Sequence, residues 1–297
     1  MSHGFFSNDE IAAASRPPGG LHFLSGHDIL VMKKKNPPSG WLCDNIPANH
    51  PGHLAHATEL IVFMTHDFFS RPGTFHLRGG VENEDRISVV TRGSVTAAVV
   101  CDGAGSARCG AAAATVTAQT LAPLLAAEFA ALFETGGAAF QLRIIHAVEQ
   151  ALAQYSHRSG APAQELACTI LAAAMDECGR CICLHLGDGI LLQKRLREDH
   201  PTVVSAPMTG LAPHSTYLTM NCDLSRYLRC YRWEDAHLEQ LLLLTDGAAE
   251  HLTQLQGGRG WVYTGPVPLD LTVILPHLAR LSPRDDHSAV LLTRPQP

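Results

Sequence analysis

Charge is scarce in this chain. Only 17% of its 297 residues are Asp, Glu, Lys or Arg, against 46% apolar. That balance excludes a largely disordered polymer and leaves enough apolar material for a sizeable core, in one large domain or two small ones. Basic charge is the scarcer sign: 22 Lys and Arg against 28 Asp and Glu give a formal −6. That sign argues against a general nucleic-acid binder, which would normally carry a basic stripe. Long unbroken apolar runs are also lacking. The most apolar stretch, 111–133, contains Gln119, Pro123 and Glu128 and reads as a buried helix or helix pair, with no membrane span. Residues 1–10 are polar and acidic where the apolar region of a secretory leader would sit, so a cytoplasmic protein is expected.

Several catalytic signatures are missing too. There is no Walker loop, no Gly-x-Ser-x-Gly elbow and no His-Glu-x-x-His. No aspartate at the strand ends described below has a second aspartate two residues on, which disfavours an Asp-x-Asp phosphoaspartate nucleophile. The nine cysteines are odd in number and irregularly spaced. Cys101, Cys168 and Cys183 sit inside apolar runs, as free buried thiols of a reducing compartment would. Cys178-x-x-Cys181 has no second pair to complete a zinc site, and Gly179 between them marks a turn.

What is present falls into two parts. Residues 1–70 are rich in turn formers, including Pro17-Pro18-Gly19-Gly20 and Pro37-Pro38-Ser39-Gly40, and carry a loose His50, His53, His56 group. They read as an irregular N-terminal extension to a domain spanning 71–297. Beyond residue 73, β-rich runs at 86–91 and 94–101 flank Arg92-Gly93, the pattern of a tight hairpin. Two Ala- and Leu-rich segments of helical length follow, 111–134 and 138–157. Strands are expected at 167–175, 180–186, 190–195, 240–244 and 288–293, with a Pro276-interrupted helix at 269–281. Hairpins dominate and regular βαβ alternation is absent. That pattern favours an α+β layered domain, two sheets with helices outside.

Three of these strands end in an Asp-Gly turn: Asp102-Gly103, Gly187-Asp188-Gly189 and Asp246-Gly247. Asp285-Asp286 precedes the last strand and Glu84-Asp85 the first hairpin. Any one of them is ordinary turn chemistry. Five acidic sites at the mouths of apolar strands point further, because carboxylates converging on one sheet rim repel unless cations intervene. Oxygen-rich sites suit Mg²⁺ or Mn²⁺, and glycine after the aspartate lets a backbone carbonyl approach. A rival reading, a dinucleotide turn at Asp102-Gly103-Ala104-Gly105-Ser106, fails at Arg108, where a third glycine belongs, and lacks a later strand-terminal acid.

In order, Asn83-Glu84-Asp85, Cys101-Asp102-Gly103-Ala104-Gly105-Ser106, Gly187-Asp188-Gly189, Leu244-Thr245-Asp246-Gly247 and Asp285-Asp286 resemble the motifs of the type 2C metal-dependent protein phosphatases, the PPM family. The similarity is to a divergent bacterial branch, whose first motif reads like His76-x-x-x-Gly80, and it covers about residues 73–294. It implies a four-layer α/β/β/α sandwich with two mainly antiparallel sheets, and two Mn²⁺ or Mg²⁺ ions at one edge. Asp102 would bridge them, the Gly103 carbonyl joining one. Asp246 and Asp286 would bind the other, Glu84 or Asp85 would complete the shell, and Asp188 would hold a weaker third ion. A hydroxide bridging the metals would attack a phosphoserine or phosphothreonine phosphomonoester. The implied partners are a phosphorylated protein and a Ser/Thr kinase or its target, with no nucleic acid and no membrane.

The chain departs from the family pattern at three points. Ala104 stands where most members have histidine, which leaves His76 as candidate proton donor. Gly80 stands at the phosphate-binding arginine position, which leaves Arg78, Arg86 or Arg108 to substitute. The interval from Asp188 to Asp246 is short, so a reduced flap is expected. These departures keep two alternatives open: a catalytically weak or inactive phosphatase-fold module that binds a phosphoprotein or kinase, and an enzyme acting on a small phosphorylated molecule.

Overall fold

The computed structural model describes residues 64–208, 216–257, 260–265, 273–274, 277–278 and 281–295. Most of the expected N-terminal extension, with its three histidines, lies outside them, as does most of the expected 269–281 helix. The chain runs β1 (Thr65–Arg71), α1 (Thr74–Gly79), β2 (Arg86–Arg92), β3 (Val95–Cys101), α2 (Gly110–Glu134), α3 (Gly137–Ser159), β4 (Ile170–Asp176), β5 (Arg180–Leu186) and β6 (Ile190–Arg195). It continues with β7 (Thr202–Ser205), α4 (Leu224–Tyr227), β8 (Arg229–Glu234), β9 (Leu238–Leu244), α5 (Asp246–Leu252), β10 (Thr253–Gln256), β11 (Gly260–Tyr263) and β12 (His287–Thr293).

The strands form two five-stranded antiparallel sheets, ordered β1-β12-β9-β6-β7 and β2-β3-β4-β5-β8, and a small β10-β11 hairpin. The central strands explain the apolar runs of the sequence. Ala97, Val99 and Cys101 of β3 pack toward α2 and α3, while Ala98 and Val100 face the other sheet. A strand buried on both faces cannot alternate with polar residues. Facing Ala98 and Val100 across the sandwich are Leu191, Leu241, Leu243, Val290 and Leu292. On the outer face of that second sheet, Leu242, Leu244, Ala289 and Leu291 meet Ala248, Ala249 and Leu252 of α5. The order helix, sheet, sheet, helix is therefore the expected α+β sandwich.

α2 is a single 25-residue helix, long and apolar enough to span a membrane by length and composition. Its apolar side is committed elsewhere: Ala114, Ala118, Leu121 and Leu125 recur at helical spacing and are buried against the sheet. Pro123 lies within it at an exposed position, where the missing N–H leaves only a solvent-side carbonyl without its usual bond. The turn at Cys178-Gly179 is as expected, Gly179 adopting φ +85. Among the described cysteines all are free, with Cys101, Cys168, Cys181 and Cys183 buried.

One boundary shifts. β1 falls within the stretch assigned to the extension, yet it pairs residue for residue with β12 from Thr65↔Thr293 to Arg71↔His287. The sandwich therefore begins by Thr65. β8 shows no apolar run, since its sequence, RCYRWE, is heavily charged. Arg232 solves this by lying over the Phe140 ring, 5.5 Å from its centroid, and donating to the Phe133 carbonyl at the end of α2.

Candidate metal centre

Asp102 immediately follows β3, Asp188 sits in the β5–β6 turn, and Asp246 opens α5 one residue beyond β9. The chain brings them together: one carboxylate oxygen from each lies within 4.8 Å of the others. They share a cleft of about 970 Å³ with Gly103, Glu84, His76 and Asp285.

The glycines of the motifs hold this convergence. A Cβ on Gly103 would lie 2.5 Å from the Gly110 carbonyl carbon, so the Asp102 turn can nest on the start of α2 only without a side chain. Gly187 has φ +118 and a built Cβ would meet Thr169 at 2.6 Å; one on Gly189 would meet the Leu244 carbonyl oxygen at 2.7 Å. Asp188 is thus pinned between the two sheets by its flanking glycines. Thr169 completes the frame: its hydroxyl accepts from the Asp102 N–H at 2.9 Å, and its own N–H donates to the Asp102 carbonyl.

The electrostatics are those of uncompensated acid. Burial, then Asp85, Asp246 and Asp188, raise the Asp102 carboxyl well above its ordinary range. Burial, then Asp188 and Asp285, push Asp246 up to about 8. Burial raises Asp188 and Glu84, with the Thr216 hydroxyl hydrogen-bonded to Asp188 opposing the shift there. Asp85 lies beneath, 3% exposed and pushed up to about 7 chiefly by burial. Its Oδ2 accepts from the Thr245 hydroxyl at 3.0 Å, while its Oδ1 is buried without a hydrogen-bond partner. An all-oxygen, carboxylate-rich set with an unsatisfied buried oxygen beside it fits hard divalent cations, which would remove the mutual repulsion.

Two expected ligands are placed otherwise. Asp286 is buried and its oxygens are already taken: Oδ1 accepts from the Gly73 N–H at 2.8 Å, and Oδ2 from the Glu84 N–H at 2.6 Å and pairs with His76 Nδ1 at 2.8 Å. Its exposed neighbour Asp285 lines the cleft instead. The backbone bends at 284–285 just before β12, and one of the pair faces the cleft while the other faces the fold. Asp85 is likewise turned inward, and Glu84 takes the lining position. His76 does line the cleft, its ring oriented by Asp286 and its Nε2 3.8 Å from Glu84 Oε2.

The expected phosphate-binding arginines do not reach the cleft. Arg78 is exposed in the last turn of α1, which Gly80 closes in the left-handed conformation. Arg86 is spent on the Asp85 carbonyl and the Thr115 hydroxyl. Arg108 is an exposed partner of Glu165 at 3.6 Å. Among the described residues the cleft lining has one Lys or Arg, Arg284. Arg284, Thr169, Thr216 and Asp285 carried no usable motif of their own, except that Asp285 stood in the acidic pair.

Residues 72–266, more than half of the chain, match the family model described as Protein phosphatase 2C. The chain belongs to the protein phosphatase 2C family. Solved structures agree on the fold. A bacterial serine phosphatase superposes with a TM-score of 0.55 at 18% identity, over 79% of this chain and 99% of that one. The serine/threonine phosphatase Stp1 from Staphylococcus aureus gives 0.54 at 17% identity, over 84% and 100%. No curated protein sequence matches the chain. Membership accounts for the acidic cluster, since this is a metal-dependent family, and for the order of the Asp-Gly turns. The phosphatase 2C fold is therefore carried here with Ala104 and Asp285 at positions where the cleft is lined by a methyl group and an exposed carboxylate.

Proposed function

We propose that the protein is a Mg²⁺- or Mn²⁺-dependent phosphatase acting on phosphoserine and phosphothreonine phosphomonoesters of a protein substrate. The observation that carries this reading is the meeting of Asp102, Asp188 and Asp246 within 4.8 Å in an open cleft. These three, with Asp285 and the Gly103 carbonyl, would hold two ions and a weaker third. When bound, such ions activate water and offset charge on phosphoryl oxygens.

The chain's own residues supply the rest. Thr169 fixes the Asp102 turn from both sides. Thr216 orients Asp188. Asp286 holds His76 through Nδ1, which leaves Nε2 on the cleft side to pass a proton to the departing serine or threonine oxygen. This role replaces what Ala104 cannot do. The side chain of a protein substrate enters a cleft whose apolar lip includes Phe75 and Trp261.

Purified protein should hydrolyse p-nitrophenyl phosphate and phosphopeptides with Mn²⁺, and lose turnover in EDTA. Absence of turnover at every metal concentration refutes the reading. Phosphopeptide binding without hydrolysis would instead identify a non-catalytic module, the reading favoured by Ala104 and by the glycine at position 80.

A further inference from the structure

The cleft is acidic almost throughout, yet a phosphomonoester arrives as an anion. We propose that Arg284 is the residue that grips the phosphate, taking over from a position where this chain has Gly80. This rests on the phosphatase reading above and names a residue that the family's motifs do not point to.

Four observations support it. Arg284 is the one Lys or Arg of the described cleft lining, and it immediately precedes Asp285 in that wall. It is exposed, and among the described residues its guanidinium forms no ion pair or hydrogen bond with the protein. A guanidinium on the wall of a carboxylate-lined cleft, with no ion pair of its own, has its fork of donors available to an incoming oxyanion. Its backbone is fixed: the Arg284 carbonyl accepts from Phe75 N–H at 3.0 Å and the Pro283 carbonyl from Thr74 N–H at 2.9 Å. Its side chain lies toward the Phe75 ring, 5.9 Å from the centroid, so an exposed aromatic platform limits its sweep at the cleft mouth.

The tether fixes where this arginine stands. Gly73 packs so closely on 284–285 that a Cβ would fall 2.2 Å from the Asp285 carbonyl carbon. The start of α1 and the 283–286 segment therefore form one unit. Arg284 is thereby held on the approach to β12, against the start of α1. Arg284 would act on the phosphate in the ground state and in the transition state alike, which places its effect on substrate affinity.

The test uses the full chain and the variants Arg284→Ala, Arg284→Lys and Phe75→Leu, all at exposed positions. Four quantities are read: KM and kcat on p-nitrophenyl phosphate, equilibrium binding of orthophosphate with Mn²⁺ present, and Mn²⁺ binding alone. Arg284→Ala should raise KM and the orthophosphate dissociation constant roughly tenfold or more, the scale of one charge-assisted pair. The kcat should stay within about threefold and Mn²⁺ affinity within about twofold. Arg284→Lys should fall between, because charge survives and the fork does not. Phe75→Leu should show a smaller loss in the same direction. An active wild type with an unaffected Arg284→Ala overturns the assignment and leaves the phosphatase reading standing. An inactive wild type whose orthophosphate binding is lost in Arg284→Ala does the reverse. A wild type that neither turns over p-nitrophenyl phosphate nor binds orthophosphate with Mn²⁺ overturns both.

Discussion

Asp246→Asn should make the metal-free protein more stable, although it removes a proposed ligand. Burial and the neighbouring acids push this carboxyl up to about 8 in the folded chain, against 3.8 for a free aspartate. The folded state therefore holds a proton that the unfolded chain gives up. The sign follows: the stability linked to this group is fully present below pH 4 and is lost as pH rises to about 8. At pH 7 the gap corresponds to a ceiling of about 4 kcal/mol, and partial contact with solvent reduces it to roughly 2 kcal/mol. Asparagine keeps the shape and abolishes the penalty. In EDTA at pH 7–8 the variant should melt about 5 °C above wild type, and the difference should vanish near pH 4. Adding Mn²⁺ should reverse the order, because ligand binding stabilises the wild type more. Paired thermal melts across pH, with and without metal, measure all of this. A variant no more stable than wild type in EDTA at pH 8 would refute the picture of an over-charged cluster.

Asp102→Asn should lower kcat by at least about a hundredfold without lowering the melting temperature in EDTA. Asp286→Ala and Asp285→Ala should separate cleanly. The first strands the Gly73 and Glu84 N–H groups and His76, and should cost about 3 kcal/mol or more by urea titration. The second should change stability by under about 1 kcal/mol while weakening Mn²⁺ binding at least about tenfold by calorimetry. Gly187→Ala forces a side chain into φ +118 and onto Thr169, and should destabilise the fold by about 2–3 kcal/mol while displacing Asp188.

Much of the sandwich was legible because its central strands are apolar on both faces and its hairpins are punctuated by Gly93 and Gly179. The acidic strand ends were legible for the same reason: an aspartate closing a run such as Leu241–Leu244 is conspicuous. β1 and β8 were not, since an edge strand carries polar residues, and long side chains like Arg232 hide their charge over aromatic rings. Within the site, order along the chain located each acidic pair, but it left Glu84 and Asp85 open and pointed to Asp286 where Asp285 lines the cleft. Glu84 against Asp85 and Asp285 against Asp286 are decided by a single peptide's orientation, set here by Asp286 capturing the Gly73 and Glu84 N–H groups. Arg284 was invisible because it belongs to the cleft only through the docking of α1 on the segment before β12.

That Asp102 and Asp246 come from different sheets has a mechanical meaning. Asp102 terminates a strand of one layer, Asp246 and Asp285 flank strands of the other, and Asp188 sits where the chain passes between them. A cation shared by these side chains would be a rivet through both plates at one edge of the sandwich. Removing it should let that edge splay first, with amides of the last residues of β3 and β9 exchanging hydrogen faster than those at the opposite ends of the same strands.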